Sequence, residues 1–202
     1  MEFHYPNGRK YTLEHTRKLA TPAQQKISYA KRGMALEDDI NDTNLYYLAR
    51  GMAVIHKKPT PIQIVDVDYK KRSTAVIKEA YFRQASTTDY NGICEGKYID
   101  FEAKETQSTT SFPLVNFHEH QISHMRNIVQ HNGIAFVILR FSKTEEVFLL
   151  ESEVLFNFWD RMKNGGRKSI TKNEVIEFGH KINIGFQPRL DYLNILKEIY
   201  SF

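Results

Sequence analysis

The spacing of apolar residues predicts a chain in which helices and strands alternate. Leu36, Ile40 and Tyr47 fall on one helical face, and Gly51, a residue type favoured just after a helix, predicts the end of that helix. Residues 52–55 are apolar and short enough for a buried strand. The first regular part of the chain is therefore expected to be a helix that leads into a sheet.

Residues 59–83 interrupt this pattern and are called the stalk segment below. Pro59 and Pro61 begin an extended stretch, because proline restricts itself and the residue before it. Apolar and polar residues then alternate, but the apolar face changes sides between Ile64 and Val65, which predicts a β-bulge. A basic run separates this strand from a second apolar stretch. The segment is expected to project from the main domain as a hairpin whose basic tip either meets DNA or is only solvated.

The C-terminal half continues the alternation. Residues 116–132 predict a helix, and the continuous apolar run 133–139 is typical of a strand buried on both faces. A strand over 147–150 is expected to pair with it. Thr171 and Glu174 have the spacing of a helix capping box. Further helices are predicted over 152–162, 171–178 and 190–200. The fold class expected is α/β, a mixed sheet flanked by helices.

Composition limits the number of domains, the kinds of partner and the cellular compartment that this fold can have. The 202 residues are 41% hydrophobic, enough for one domain with a core of its own. The net charge of +4 permits a polyanion partner without requiring one. A single cysteine, Cys94, excludes an internal disulfide and a cysteine zinc site, which favours the reducing cytoplasm. No stretch has the length of a membrane span, and the polar N-terminus lacks a signal-peptide core. Residues 1–32 are basic without apolar periodicity, so they are expected to be a mobile arm. An arm that orders only on nucleic acid and a solvated tail with no function are equal alternatives for it.

Residues 86–105 contain the candidate chemistry. They predict two successive strands, with Asp89 at the start of the first. Glu102 and Lys104 lie two residues apart and so share a face of the second strand. Converging carboxylates hold a divalent cation, and an ammonium beside them stabilises charge that develops on phosphorus. The pattern predicts metal-assisted phosphodiester cleavage, although surface charges on a strand are its commoner origin.

Two further groups of acids and histidines have competing interpretations. His120 and His124 share a helical face, but the zinc-protease motif would need glutamate where this chain has Gln121, so we reject a zinc site. These histidines are expected on a helix surface. Glu37 is either a surface carboxylate or a group directed towards the metal site.

Several blocks in the right order resemble the RecU family of Holliday-junction resolvases of Gram-positive bacteria. The resemblance covers approximately residues 32–192 and is weakest in the basic arm. It rests on the runs Arg32-Gly-Met-Ala-Leu-Glu37, Ala53-Val-Ile-His-Lys-Lys-Pro-Thr-Pro61, Glu79-Ala-Tyr-Phe82, Ser86-Thr-Thr-Asp-Tyr-Asn-Gly92, Tyr98-Ile-Asp-Phe-Glu-Ala-Lys-Glu105 and Gln187-Pro-Arg-Leu-Asp-Tyr192.

The resemblance implies a restriction-endonuclease-like fold and a homodimer that nicks two symmetric strands of a four-way junction, leaving 5′ phosphates. It implies that Asp89 and Glu102 bind Mg²⁺, with Mn²⁺ able to replace it. Thr87 and Gln121 match further ligands of the metal, and Lys104 matches the lysine that stabilises the transition state.

The resemblance also implies roles around this centre. Glu37 and Asp100 lie in matching blocks and are expected to support the metal ligands. The stalk segment matches an element that enters the junction centre. A recombinase and a branch-migration helicase are the protein partners implied. A non-catalytic DNA-binding regulator of a recombinase and an ordinary duplex endonuclease are the competing functions. The residues expected to contact DNA are Arg32, Lys57, Lys58, Lys71 and Arg72.

Overall fold

The computed structural model describes residues 36–68, 75–82 and 87–202. The predicted basic arm, residues 1–32, lies outside this range. The helices are α1 (Leu36–Ala49), α2 (Glu119–Gln130), α3 (Ser152–Lys163), α4 (Lys172–Phe178) and α5 (Tyr192–Tyr200). The strands are β1 (Val54–Lys57), β2 (Ile62–Asp68), β3 (Val76–Phe82), β4 (Tyr90–Cys94), β5 (Lys97–Thr106), β6 (Ser111–Pro113), β7 (Ile134–Phe141), β8 (Glu146–Glu151), β9 (Ser169–Thr171) and β10 (His180–Ile182).

The described residues fall into two compact units. One contains the β2–β3 hairpin, residues 60–68 and 75–82. The other contains residues 36–59 and 87–202, and therefore every remaining element. In the part of the chain that is described, no helix combines the length and apolar character needed to cross a membrane.

A six-stranded mixed sheet forms the frame of the larger unit. Its strand order is β1-β4-β5-β7-β8-β10. β5 and β7 are parallel, whereas the other neighbouring pairs are antiparallel. A parallel pair needs a crossover, and α2 lies in that crossover between β5 and β7. The helix is thereby set against the central strand that carries Glu102 and Lys104.

Both faces of this sheet are covered by apolar side chains. On β7, Phe136 and Ile138 belong to one layer and Val137 and Leu139 to the other, all fully buried. The first layer includes apolar residues of α1 and α5, and the second includes those of α2, α3 and α4. The predicted strand buried on both faces is confirmed, as is the mixed sheet flanked by helices.

The hairpin of β4 and β5 is built around glycine at two places. Gly92 lies within β4, where an added Cβ would come within 2.1 Å of the Val54 carbonyl oxygen on β1. A side chain there would push the edge strand away. The turn itself is made by Glu95 and Gly96, which both have positive φ. The two strands predicted within residues 86–105 are therefore present, joined by a turn at Glu95 and Gly96.

The β2–β3 hairpin shows the predicted bulge. Ile64 pairs with Ala80 and Asp66 pairs with Glu79, so Val65 is an extra residue on β2. This irregularity accounts for the change of apolar face along the strand. The basic run expected at the tip, residues 70–72, lies outside the described range.

Several boundaries differ from those expected. The first sheet strand covers Val54–Lys57 instead of 52–55, and α2 begins at Glu119 because Leu114–Asn116 forms a separate 3-10 turn. The short strands β6, β9 and β10 were not anticipated, since three residues are too few to show a period of two. The capping box of Thr171 and Glu174 is confirmed at the start of α4.

Candidate metal-dependent nuclease site

A row of polar side chains lies along one face of β5. Strand alternation places Tyr98, Asp100, Glu102 and Lys104 on this face, while Phe101 belongs to the apolar layer on the opposite side. Asp100 and Glu102 are both completely buried. Buried carboxylates are costly unless they are bonded or bind a cation, so each must be accounted for by its partners.

Asp89 is held at the end of the row by the backbone. It directly precedes β4, and its Oδ2 accepts a hydrogen bond from the backbone N–H of Ala103 at 3.2 Å. Its own carbonyl oxygen accepts from the N–H of Lys58 at 2.7 Å. The backbone bond extends the β1–β4 ladder by one residue, and the side-chain bond ties Asp89 to β5. The carboxylate of Asp89 is thereby fixed beside the residue that follows Glu102.

Glu102 has an incomplete set of partners. Its Oε1 accepts from Gln121 Nε2 at 2.7 Å and lies 2.5 Å from the ammonium of Lys104. Its Oε2 is buried and has no hydrogen-bond partner among the residues described. Burial, followed by the negative charge of Asp89, raises the pKa of Glu102 from 4.5 to about 7, although Lys104 and Gln121 act in the opposite direction. Asp89 and Glu102 therefore approach closely enough to repel.

Gln121 reaches Glu102 because of its position in α2. It occupies the third residue of the helix, where its Oε1 accepts from the N–H of His118 at 3.0 Å and closes a capping box. The amide is buried, and its nitrogen is left to donate to Glu102. One side chain thus fixes both the start of the helix and the orientation of the carboxylate.

Lys104 ends the row in a more open position. Its side chain is 24% exposed, whereas the carboxylate that it contacts is not exposed at all. Because it lies at the border between the buried row and solvent, its ammonium can meet an anion that approaches from outside.

Asp100 is satisfied by the protein itself. Its Oδ2 lies 2.7 Å from the Lys58 ammonium, 2.9 Å from the hydroxyl of Tyr98 and 3.3 Å from His124 Nε2. Its Oδ1 accepts from the hydroxyl of Thr88. With four neighbours and a cation of its own, Asp100 has little capacity left for a metal ion.

The carboxylates left for a cation are Asp89 and Glu102. Among the residues described, no group of three or more His, Cys, Asp or Glu side chains is arranged to hold a metal. Mg²⁺ does not need such a group, since it is bound through one or two carboxylates and keeps several waters. The buried Oε2 of Glu102 is an oxygen that a cation would satisfy, so these residues fit a hard divalent ion.

The two further predicted ligands have protein partners in this structure. Thr87 is exposed, and its hydroxyl accepts from the Lys58 ammonium at 3.2 Å. The oxygen of Gln121 accepts from the N–H of His118. Their direct ligation of a metal stays a prediction.

Glu37 and the residues expected to contact DNA have different surroundings from one another. Glu37 and Lys57 form an ion pair with both side chains nearly half exposed. Lys58 is only 15% exposed and is directed towards Asp100, so its surroundings give no support to a role in contacting DNA. The remaining expected contacts, Arg32, Lys71 and Arg72, lie outside the described residues.

Three partners of Asp100 were not identified by sequence reasoning. Tyr98 could have been found, because strand alternation gives it the face of Asp100. His124 follows Gln121 by three residues and thus lies on the same helical face. Thr88 carried no signal, because its burial depends on the neighbouring strands.

Comparison with known proteins assigns the family. The family model described as RecU, Recombination protein U, matches residues 31–198. A Holliday junction resolvase RecU from Geobacillus sp. (strain WCH70) is 58% identical over 200 residues, 99% of this chain and 98% of that protein. The protein of the same name from Bacillus licheniformis is 59% identical over 196 residues, 97% of this chain and 96% of its own. That from Bacillus cereus (strain AH820) is 54% identical over 200 residues, 99% of each. The chain therefore belongs to the RecU family.

Proposed function

We propose that this protein is a magnesium-dependent endonuclease that resolves Holliday junctions during homologous recombination and DNA repair. The observation that carries the proposal is the buried Oε2 of Glu102, which has no partner among the described residues and belongs to a carboxylate that Asp89 repels and the partly exposed Lys104 contacts. The names of the relatives, Holliday junction resolvase RecU, supply the class of substrate.

Asp89 and Glu102 are the residues that would hold the ion, with Thr87 and Gln121 as further ligands. A bound Mg²⁺ would supply an activated water and offset negative charge on the phosphate, and the proposed product is a nick with a 5′ phosphate. Mn²⁺ is expected to replace it, because the oxygen ligands suit both ions.

Lys104 supplies a positive charge where the phosphate would lie. Its contact with Glu102 holds the ammonium in place before substrate arrives, so little reorganisation is needed when charge develops on the phosphate oxygens. Gln121 acts on the same carboxylate from the opposite element, since its nitrogen directs Glu102 Oε1 and leaves Oε2 available. Asp100, two residues before Glu102 on β5, is proposed to support Glu102 and Lys104.

Selection of junctions over duplex must come from features outside this centre, because phosphodiester chemistry is the same on any DNA. Two copies of the chain are proposed to cut opposite strands as a homodimer in the cytoplasm. The stalk segment and the cations Arg32, Lys57, Lys71 and Arg72 are proposed to contact the junction, and Glu37 to hold Lys57. A recombinase and a branch-migration helicase are the proposed protein partners.

One assay separates this function from its competitors. The purified protein is offered a synthetic four-way junction or a linear duplex, each 5′-labelled, with Mg²⁺ or with EDTA. We expect paired nicks in the junction with Mg²⁺, none with EDTA, little cleavage of duplex, and ligatable products that carry 5′ phosphates. Binding without cleavage in Mg²⁺ would indicate a regulator, and equal cleavage of duplex would indicate an ordinary endonuclease.

A further inference from the structure

Lys58 lies where three strands of the sheet come together. It directly follows β1, and its backbone N–H donates to the carbonyl of Asp89 at 2.7 Å. Its ammonium donates to Thr88 Oγ1 at 2.6 Å, to Asp100 Oδ2 at 2.7 Å and to Thr87 Oγ1 at 3.2 Å. One residue thus connects the end of β1, the approach to β4 and the centre of β5.

The ammonium of Lys58 has no capacity left for another acceptor. A lysine side chain carries three N–H donors, and three oxygens already accept from it. The side chain is 15% exposed, against 43% for the neighbouring Lys57. A phosphate could bind Lys58 only by displacing one of these three bonds, two of which go to the buried residues Thr88 and Asp100. Adjacent lysines therefore differ in what they can do.

We propose that Lys58 is a positioning residue for the metal site and does not contact DNA. The inference rests on the proposed function of Asp89 and Glu102. Lys58 acts through both ends: its backbone fixes Asp89, and its ammonium fixes Asp100, two residues before Glu102 on the same face of β5. Lys58 thus helps to set the position of Asp89 relative to the strand that carries Glu102.

Removal of the ammonium has a specific consequence. Asp100 is completely buried, and Lys58 is the lysine that contacts it. Without that charge the carboxylate must draw on its remaining donors. Thr87 loses the ammonium that links it to Asp100, and Thr88 keeps only its own bond to Asp100 Oδ1. The backbone before Asp89 is then held to β5 by fewer bonds, so its position relative to Glu102 is less well fixed.

The test compares Lys58→Met with Lys197→Met. Both remove an ion-paired lysine, but Lys197 pairs with Glu95 at the surface, away from the carboxylates of the site. Binding of Mn²⁺ alone is measured from the paramagnetic resonance signal of the free ion, without DNA. Binding to a four-way junction is measured in EDTA. We expect Lys58→Met to weaken Mn²⁺ binding by about 10- to 100-fold and to change junction affinity by less than about 2-fold, with no change in the control.

Two additional variants protect the test against a folding defect. Lys58→Arg keeps the charge and should recover part of the Mn²⁺ affinity. The double variant Lys58→Met/Asp100→Asn removes the buried charge that Lys58→Met leaves uncompensated. Its loss of Mn²⁺ affinity should therefore be smaller than the sum of the losses in the two single variants. Additive effects would show that Lys58 does not act through Asp100.

Two results would overturn the positioning role. One is normal Mn²⁺ binding by Lys58→Met together with weaker junction binding in EDTA, which is the behaviour of a DNA contact. The other is an Mn²⁺ affinity of Lys58→Met that is indistinguishable from that of the wild type. If instead the wild-type protein neither binds Mn²⁺ nor nicks junctions, the proposed function fails, and that outcome is recognisable without any variant.

Discussion

Replacing Glu102 by glutamine is expected to stabilise the metal-free protein in a pH-dependent manner. The carboxylate is completely buried, one oxygen has no partner among the described residues, and Asp89 repels it. These conditions raise its pKa from 4.5 to about 7. A glutamine of the same size removes the charge and retains an acceptor for Gln121, so the variant isolates the electrostatic cost of the site.

The magnitude follows from proton linkage. The folded state holds the Glu102 proton more tightly than the unfolded state, so stability falls as pH rises from 4.5 towards 7 and the full cost is present above 7. At about 1.4 kcal/mol for each unit of pKa, that cost is about 3 kcal/mol. Most of it should appear between pH 5 and pH 8.

The assay is urea unfolding in EDTA at those two pH values, with Glu105→Gln as the control. Glu105 is an exposed acid on the same strand. Relative to the wild type, Glu102→Gln should gain about 2 to 3 kcal/mol between pH 5 and pH 8, and the control should gain nothing. Comparing two pH values cancels any packing difference that the amide introduces. A difference between variant and wild type that is the same at both pH values would refute the desolvation of Glu102.

Two other ion pairs give predictions about stability. Asp39 is 1% exposed and lies 3.3 Å from Arg140, so Asp39→Asn should lower the free energy of unfolding in urea by about 3 kcal/mol. The control is Asp38→Asn, which changes an exposed neighbouring acid and should cost little. Equal effects of the two substitutions would exclude a buried pair. The bond from Arg161 holds the pKa of Glu174 down at about 2, so its stabilisation is present above about pH 4.5 and is lost as pH falls towards 2. Glu174→Gln should lower stability by about 1 kcal/mol at pH 7 and by less at pH 3 in thermal melts, and a loss independent of pH would contradict this.

The sequence predicted secondary structure best where a pattern of apolar residues extended over several residues. The run 133–139 is apolar throughout and forms a strand buried on both faces, and the change of face at Ile64 and Val65 correctly predicted a bulge. Three-residue strands such as β9 and β10 carried no such signal, because their pairing is decided by neighbours distant in the chain.

For the candidate site, local pattern placed Glu102 and Lys104 on one face but could not show which acids have a partner. Asp100 and Glu102 are equivalent in the sequence, as alternate acids of one strand. Tertiary contacts distinguish them: Lys58 pairs with Asp100, whereas Glu102 Oε2 has no hydrogen-bond partner among the described residues. The inward direction of Lys58 could not be predicted either, since adjacent lysines look alike until the strand beneath them is known.

The most direct measurement is the nicking rate of Asp89→Asn on a synthetic four-way junction with Mg²⁺, set beside its junction affinity with Ca²⁺. Asp89 faces Glu102 and has no cation of its own among its described hydrogen bonds, so its charge is the part of the site that the metal should need most. We expect junction affinity within about 2-fold of the wild type and a nicking rate lower by at least about 100-fold. Nicking at the wild-type rate would contradict the assignment of Asp89 and Glu102 as the metal-binding centre.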